Sequence, residues 1–498
     1  MEKILVILIL FIGIIWRLPY FAPTSLNWDE VSLGYNAYSI SRTGADEWGT
    51  KLPTIFRGFG DYKLPVYVYM TTLWPLNPRV TSIIAGSLTM LISYLLARKL
   101  FGKQAGLVTL SLVALSPWTV MLSRLALEAN LAILFISLGM LCLVSRKYLW
   151  SILFFGISVW TYNSARIFVP LFLVGNWLVY RFKLDKKTLV LVGLLFLPML
   201  IQLLSTIGQA RYQKLSLIDD GAIAKINELQ TSQWGGRLVY NKATYFVATF
   251  AKNYISYLLP NFLFFKGGDH YQFSVQNYGL LYLVCAPFFY IGILNLIKNH
   301  KLKIKNLLLI WLLLAPIAGS VTRDSPHTLR AVVMLPLPMI LTALGIVSIL
   351  KKYYLVILPI FILFSINYQR ASNSYLLSYS WSWQYGYKEI VQIIKESYSR
   401  YDKVVFTKKY GEPHEFVAFY WPWDPADFTK SKSWDYHDGW YWVNALGKIK
   451  FINDWEMKSY VYKPKTLIIA SPENEPTGTE IKRINFLDGK PAFIIKES

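Results

Sequence analysis

The chain has 498 residues, of which 54% are hydrophobic and only 16% are charged, well below the roughly 25% charged residues of an ordinary soluble protein. This composition excludes a soluble globular protein and favours a multi-pass membrane protein, because long apolar runs recur through the first three quarters of the chain. The net charge of +22 does not indicate nucleic-acid binding, since much of the basic excess lies in short loops between apolar runs. Cys142 and Cys285 lie inside apolar segments, without disulfide or metal-ligand spacing.

The first apolar run, Ile4–Trp16, is predicted to be an uncleaved transmembrane helix, because no small-residue cleavage site follows it. Ten further helices are predicted at 80–97, 105–122, 129–144, 149–162, 167–180, 188–204, 279–297, 306–320, 331–350 and 354–368. Basic clusters between them mark the cytoplasmic side. These clusters are Arg98-Lys99 with Lys103, Arg146-Lys147, Arg181-Phe182-Lys183 with Lys186-Lys187, Lys298–Lys305 and Lys351-Lys352. About eleven helices place the N-terminus in the cytoplasm, and we expect a multi-pass protein of the plasma membrane.

This threading predicts a transmembrane domain over 1–368 and an extracytoplasmic domain over 369–498. The first external loop spans 18–79, and its apolar piece KLPVYVYMTTLWPL is too short and proline-broken to be a span. A large external segment spans 205–278, and its aromatic stretch Tyr245–Phe265 could lie along the membrane interface. The tail has an amphipathic pattern at 387–398 and the strand-like runs KVVFT, IKFI, TLIIAS and AFIIK, which predict a small α/β domain.

Two adjacent carboxylates, Asp29 and Glu30, follow the first predicted helix at the expected membrane surface. They could simply be solvated. However, carboxylates at this position oppose anionic headgroups, and an external acid can serve as a general base. Arg124 and Glu128 are spaced i,i+4 in the second external loop, which predicts one face of a helix start. Either the two residues form an ordinary ion pair, or Glu128 supplies a second carboxylate to the same site as Asp29.

Basic and aromatic side chains recur in the predicted external loops. Lys63, after Tyr62, is either a snorkelling interfacial cation or a ligand of a phosphate. Arg330 lies at the start of an apolar helix on the external side, which opposes the usual charge bias and favours anion binding. His327 alone is a weak signal. The other candidate residues of these loops are Tyr162, Asn163, Arg166, Arg323 and Asp324.

Nucleotide-binding motifs are absent from the sequence: it contains no Walker loop and no GxGxxG. It also contains no HExxH, nucleophile elbow or Cys/His metal set. An enzyme outside the cytosol has no nucleotide-sugar pool, so a lipid-linked, pre-activated donor is the expected substrate. Such a donor needs cations for its phosphate, and its acceptor needs a base.

The order of these motifs resembles the polytopic GT-C glycosyltransferases of the protein O-mannosyltransferase and lipid A aminoarabinose transferase type. The matching elements are Asp-Glu after helix one, YKLP, RKLFG, Ser-Arg with an acid four residues after the Arg, TYNSAR, and a His/Arg loop before a Pro-rich helix. The resemblance implies inverting transfer of a sugar from a polyprenyl-phosphate donor. It implies Asp29 as general base beside Glu30, Glu128 as the second acid, and Lys63 and Arg330 at the donor phosphate. Ser32 stands where the aminoarabinose enzymes carry Arg.

Three other functions stay open on sequence grounds. An oligosaccharyltransferase-like enzyme is suggested by SWDYHDGW at 433–440, which is similar to the WWDYG motif, and it would depend on a metal. A flippase or transporter for lipid-linked glycans would carry ionisable residues at mid-membrane. A glycan-binding membrane protein could use the tail's aromatic residues, which are otherwise expected in its core. The expected partners are membrane lipid, the lipid-linked donor and an unidentified acceptor, with no nucleic acid, and no cofactor is required although a divalent metal is conceivable.

Overall fold

The computed structural model describes residues 2–18, 20, 25–181, 183–299 and 304–498. Parts of the predicted first loop (19 and 21–24) and of two basic clusters (182 and 300–303) lie outside the described residues. The first helices are α1 Glu2–Ile15, α2 Trp28–Thr43, α3 Pro65–Thr71, α4 Arg79–Phe101, α5 Lys103–Leu115, α6 Pro117–Arg124, α7 Glu128–Val144 and α8 Tyr148–Val159. There follow α9 Asn163–Tyr180, α10 Lys186–Leu204, α11 Thr206–Leu215, α12 Asp220–Ser232, α13 Gly236–Val239 and α14 Lys242–Leu258. The last are α15 Ala286–Lys298, α16 Lys305–Leu314, α17 Ile317–Ser320, α18 Leu337–Leu350, α19 Ile357–Ser378, α20 Tyr387–Ser397, α21 Pro413–Tyr420 and α22 Pro425–Ser431.

Two compact units make up the chain. The helical unit comprises Met1–Leu18, Ile83–Ser123 and Glu128–Tyr368. The loop-and-sheet unit comprises Pro19–Ser82, Arg124–Leu127 and Gln369–Ser498. The predicted boundary at 368 agrees with this division, but the first loop, which we assigned to the transmembrane domain, folds with the tail. Close packing of α2 on α21 explains the difference, because a Cβ at Gly34 would lie 2.4 Å from the ring of Phe419.

Apolar helices long enough to cross a membrane belong mainly to the helical unit. Among the described residues three segments qualify, and a fourth if the bent pair α5 and α6 is one span broken by 51°. The three are Arg79–Phe101, Lys186–Leu204 and Leu337–Ser378. Helices lie in all eleven predicted apolar segments, but several are short, such as α8 with 12 residues. The helix lengths therefore support a membrane protein without confirming eleven spans.

Small residues and one arginine pack the helical unit. Helices α15 and α18 cross closely, since a Cβ at Gly292 would lie 1.9 Å from the carbonyl of Leu341. Such approach requires glycine, as in other membrane helix pairs. The buried guanidinium of Arg17 donates to the carbonyls of Gly13, Val113 and Ala114. These contacts satisfy carbonyl groups at the ends of α1 and α5, which have no intrahelical donors.

A seven-stranded mixed sheet forms the core of the loop-and-sheet unit. Its strands are β3 Lys403–Thr407, β4 Lys432–His437, β5 Trp440–Leu446, β6 Ile449–Ile452, β7 Thr466–Ala470, β8 Thr479–Asn485 and β9 Pro491–Glu497, whereas β1 Phe56–Arg57 and β2 Tyr62–Lys63 pair separately. The order is β4-β5-β6-β3-β7-β9-β8, with β3 parallel to both of its neighbours. Helix α20 packs on this core through one apolar face, as its periodicity predicts. The predicted α/β domain is therefore confirmed, with three strands (β4, β5 and β8) that the sequence analysis missed.

Candidate active site

Glu30 is a fully buried carboxylate that joins three parts of the loop-and-sheet unit. Its Oε1 and Oε2 accept from Nε and Nη2 of Arg79 at 2.7 and 2.8 Å. Oε2 also accepts from the backbone N–H of Asn27 at 3.1 Å, completing the capping box that begins α2. Oε1 accepts from the backbone N–H of Ala126 at 2.8 Å. Because both oxygens are engaged, Glu30 holds the loop in place, and its catalytic role stays a prediction.

Asp29, the neighbour of Glu30, points outward. Its side chain is 52% exposed and Oδ1 lies 3.4 Å from Nζ of Lys63, whose own side chain is 11% exposed. Lys63 Nζ also donates to the backbone carbonyl of Asp29 at 3.3 Å. The short β1–β2 pair presents Lys63, and the first turn of α2 presents Asp29. An accessible carboxylate next to a half-buried cation is thus built from two segments 34 residues apart in sequence.

Arg124 and Glu128 do not share a helix face, which corrects the expectation from their spacing. Helix α6 ends at Arg124 and α7 begins at Glu128. The break between them leaves backbone amides without helical partners, and Glu30 accepts from one of these, that of Ala126. The guanidinium of Arg124 is buried and donates to the side chain of Gln369. Glu128 is half-buried at the start of α7.

Tyr162, Arg166 and Arg330 line one cavity of about 120 Å³ in the helical unit. We call it the arginine cavity. Apart from these three residues its lining is largely apolar, formed by Ile167, Leu203, Leu215, Ala318 and Val321 with a few small polar residues. Three of the predicted donor-binding residues therefore line one cavity, although Tyr162 and Arg330 are 168 positions apart in the sequence. Two guanidinium groups in an apolar cavity suit an amphiphilic anion.

The charge of Arg166 has no carboxylate partner among the described residues. Its side chain is 5% exposed, and it donates to the carbonyl of Val159 at 3.0 Å and to the side chain of Gln202. The guanidinium also lies 5.5 Å from the ring centroid of Trp160. Arg330 differs, because it forms a 3.2 Å ion pair with the exposed Asp324 and donates to Thr322 at 2.7 Å. The arginine cavity thus carries excess positive charge, held mainly by dipoles.

Two further residues predicted to bind the donor, His327 and Tyr62, are not part of the lining of this cavity. His327 packs its ring against His270 and Phe273, with centroid distances of 5.6 and 5.9 Å, and its Nδ1 accepts from the N–H of Leu329. Tyr62 is the first residue of β2, and burial raises the pKa of its hydroxyl. Neither His327 nor Tyr62 lines the arginine cavity. In the part of the chain that the structure describes, no three His, Cys, Asp or Glu side chains are grouped to hold a metal ion.

Glu412 is a buried titratable group that directly precedes α21. The indole N–H of Trp440 donates to its Oε1 at 2.7 Å, and its side chain is only 17% exposed. Burial raises the pKa of Glu412 to about 7, against the opposing effects of Trp440 and Lys408. The unfolded chain ionises near the ordinary value of 4.5, so folding stability falls as the pH rises from that value through about 7 and then levels off.

We therefore expect Glu412 to lower the melting temperature of the purified protein at pH 8 relative to pH 5, in opposition to the neighbouring buried His414, whose lowered pKa has the reverse effect. Glu412→Gln should reduce this difference, because it removes one group that must ionise in a buried place. Part of the difference remains, since burial also raises the pKa of Glu47 to about 7. Glu389→Gln is the matched control, because Glu389 is exposed in an ion pair with Lys482. An unchanged pH dependence in Glu412→Gln would contradict the assignment.

Comparison with known proteins identifies the fold. No protein-family model matches the sequence, and no curated protein matches it significantly. ArnT from Cupriavidus metallidurans in the apo state has a similar structure, with a TM-score of 0.54 at 12% identity over 98% of this chain and 97% of that one. The same enzyme bound to undecaprenyl phosphate gives 0.45 at 10% identity over 99% and 97%. The Archaeoglobus fulgidus oligosaccharyltransferase gives 0.47 at 13% identity over 84% of this chain and 63% of that one.

The similarity to ArnT concerns the fold, and it extends over nearly the whole of both chains. ArnT is a lipid A aminoarabinose transferase, and the chain therefore has the fold of the GT-C glycosyltransferases. The resemblance that the order of motifs predicts is confirmed at this level. The chain spans about 63% of the length of the archaeal oligosaccharyltransferase.

Sequence reasoning missed two side chains that support the candidate residues. Arg79 neutralises Glu30, and Gln202 accepts from Arg166. Arg79 lies at the first turn of an apolar helix, the same pattern that singled out Arg330. A basic residue at the start of an apolar helix could therefore have identified Arg79 from the sequence. Gln202 stands near the end of a long apolar helix and had no distinguishing pattern.

Proposed function

We propose that this protein is an integral membrane glycosyltransferase that transfers a sugar from a polyprenyl-phosphate-linked donor to an acceptor on the extracytoplasmic face, with inversion. The observation that carries the proposal is the arginine cavity, in which Arg166 and Arg330 meet an apolar lining. A lipid phosphate combines an anion with an apolar chain, and this cavity offers a complement to both. The GT-C fold of ArnT, a glycosyltransferase, supports the same reaction class.

Each candidate residue has a distinct role in this reaction. Asp29 removes the proton of the acceptor hydroxyl as the hydroxyl attacks the anomeric carbon. The leaving group departs as a phosphate anion, so it needs positive charge and no proton donor. Arg166 and Arg330 supply that charge, and pre-organised cations at a developing charge are usually the largest catalytic contribution. Lys63 positions Asp29 through their 3.4 Å ion pair, and Glu30 keeps the loop folded.

The proposed topology has eleven membrane spans. Basic clusters such as Arg98-Lys99 and Arg146-Lys147 then face the cytoplasm, and the sheet of the tail lies outside. Glu128 and Arg124 belong to the external side in this topology. The shorter apolar helices cross the bilayer as tilted or broken spans in this arrangement.

The proposed function is tested in cells that lack the protein. We expect them to accumulate one lipid-linked sugar and to lose one glycoconjugate, both measured by mass spectrometry of lipid extracts and envelope material. Re-expression of the wild-type chain should restore both. Identical profiles in deleted and complemented cells would overturn the proposal.

Arg166→Gln and Arg330→Gln are each expected to raise the apparent KM for the lipid-linked donor about tenfold or more, because each removes charged hydrogen bonds to its phosphate. The measurement is the rate of sugar transfer in membranes against donor concentration. Arg323→Gln is the matched control, since Arg323 lies in the same loop as Arg330 but pairs with Asp219 at 2.9 Å and does not line the cavity. An unchanged KM in both cavity variants, with unchanged melting, would remove these arginines from the donor site.

A further inference from the structure

A cleft of about 470 Å³ opens in the sheet of the loop-and-sheet unit, and none of the residues assigned above lines it. It lies outside the carboxyl ends of the adjacent parallel strands β3 and β6, because Lys408 directly follows β3 and Asn453 directly follows β6. Ligands of open sheets with parallel strands bind at such positions. We call this feature the lysine cleft, and its polar lining comprises Lys408, Asn444, Lys450, Asn453, Glu456 and Ser459.

Two lysines of this lining, Lys408 and Lys450, have no carboxylate within ion-pair distance among the described residues, and neither has Lys403, which contacts the lining residue Tyr460. Lys408 Nζ donates to Asn444 at 2.9 Å, and Lys403 Nζ donates to the hydroxyl of Tyr460 at 2.7 Å. Lys450 Nζ lies 4.9 Å from the centroid of the Tyr460 ring. Other lysines of the same unit do have carboxylate partners, as in the 2.7 Å pairs of Lys482 and Lys496 with glutamates. The lining therefore holds two lysines against one carboxylate, that of Glu456, which leaves it a net positive charge. A second carboxylate, that of Asp435, lies behind Asn444 and accepts from its side-chain amide at 2.6 Å.

The lining also suits hydroxyl groups. Asn444, Asn453 and Ser459 present amides and a hydroxyl that donate and accept hydrogen bonds. A volume of about 470 Å³ falls within the roughly 300–1,000 Å³ typical of small-molecule sites. Hydrogen-bond donors and acceptors next to lysines match a sugar that bears carboxylate or phosphate groups better than they match an apolar ligand.

One turn connects the lysine cleft to the proposed base within the same unit. Lys408 begins this turn, and Gly411 adopts the left-handed conformation, with φ of +111°, three residues later. A Cβ at Gly411 would lie 2.1 Å from the indole of Trp28. Trp28 immediately precedes Asp29 in α2. The turn that begins at the lining residue Lys408 thus packs, through Gly411, on the segment that presents the proposed base, which favours the acceptor over the donor as the ligand of the cleft.

We propose that the lysine cleft binds an anionic saccharide, and that this saccharide belongs to the acceptor. The second half of the inference rests on the proposed glycosyltransferase function. Lys408 and Lys450 contact the charged group, and Asn444, Asn453 and Ser459 contact the hydroxyls. The acceptor class is accordingly an acidic glycan, carrying either carboxylate or phosphate groups.

The test is calorimetric titration of the purified full-length protein with trigalacturonic acid, and with maltotriose as an uncharged trisaccharide. We expect the charged trisaccharide to bind about tenfold more tightly or better, and salt to weaken it. Lys450→Gln and Lys408→Gln should each weaken binding about tenfold, while Lys458→Gln, an exposed lysine outside the cleft, should leave it unchanged. Lys450→Gln is the more informative variant should Lys408→Gln melt early.

Three results would overturn the inference. They are equal binding of the two trisaccharides, unchanged binding in both cleft variants, and full displacement of the trisaccharide by inorganic phosphate at equal concentration, which would define a simple anion site. Binding is measured without turnover, so its failure leaves the proposed transfer reaction standing. If the purified protein binds the saccharide but deleted and complemented cells have identical lipid and glycoconjugate profiles, only the proposed reaction is overturned.

Discussion

Replacing Asp29 by Asn is expected to lower the rate of sugar transfer by about 10²–10⁴-fold, the usual contribution of general acid–base catalysis. Asn keeps the size of the side chain but cannot take a proton from the acceptor hydroxyl. The fold should be unaffected, because the Asp29 side chain is 52% exposed and its ion pair with Lys63, at 3.4 Å, is long. An exposed carboxylate in such a pair contributes little to stability, and Lys63 keeps its hydrogen bond to the backbone carbonyl of Asp29. The measurement is the initial rate of glycoconjugate formation in membranes that contain equal amounts of each variant.

Glu389→Gln is the control for this experiment. Glu389 also forms an exposed ion pair with a lysine, Lys482, but this pair joins α20 to β8. Its replacement should leave the transfer rate unchanged. Wild-type turnover in Asp29→Asn would show that another group takes the proton, and Glu128 would then be the first residue to examine.

Replacing Glu30 by Gln is expected to have a large effect on stability. The substitution leaves the largely buried guanidinium of Arg79 without its counter-ion, and breaking a buried ion pair costs about 3–5 kcal/mol. Unfolding monitored by tryptophan fluorescence should therefore begin at a clearly lower temperature than in the wild type. Asp29→Asn, at the adjacent position, should melt with the wild type.

A double variant isolates the contribution of the Glu30–Arg79 ion pair to stability. Glu30→Gln with Arg79→Gln should be less destabilised than the sum of the two single variants, because neither charge is then left unpaired. Additive effects would mean that the two side chains act independently. A Glu30→Gln protein that melts like the wild type but has lost transfer would restore the catalytic role that the sequence suggested.

Elements with a strong local pattern could be predicted from the sequence. The runs KVVFT and IKFI coincide with β3 and β6, and the amphipathic pattern from Tyr387 coincides with α20. Strands β4 and β5 were missed because their aromatic and polar residues do not alternate clearly, and only pairing with each other and with β6 makes them strands. Apolar helices were found, but not the points at which tertiary contacts break them.

Roles within the candidate site depend on distant partners, which a single sequence does not reveal. The sequence alone does not distinguish Asp29 from Glu30. The structure does, because Arg79, which is 49 residues away in the sequence, pairs with Glu30. The same is true of Arg166, whose partners are the carbonyl of Val159 and the amide of Gln202. The motif order therefore indicated which region to examine, and the structure separated the outward-facing acid from the buried one.

The hydrogen bonds of Glu30 couple the positions of three chain segments around the proposed base. One carboxylate fastens the beginning of α2, the beginning of α4 and the break between α6 and α7. Each of these segments can move away from Glu30 only by opening its own hydrogen bonds to this carboxylate. A rearrangement that keeps these bonds moves the three segment ends together with the helix turn that presents Asp29.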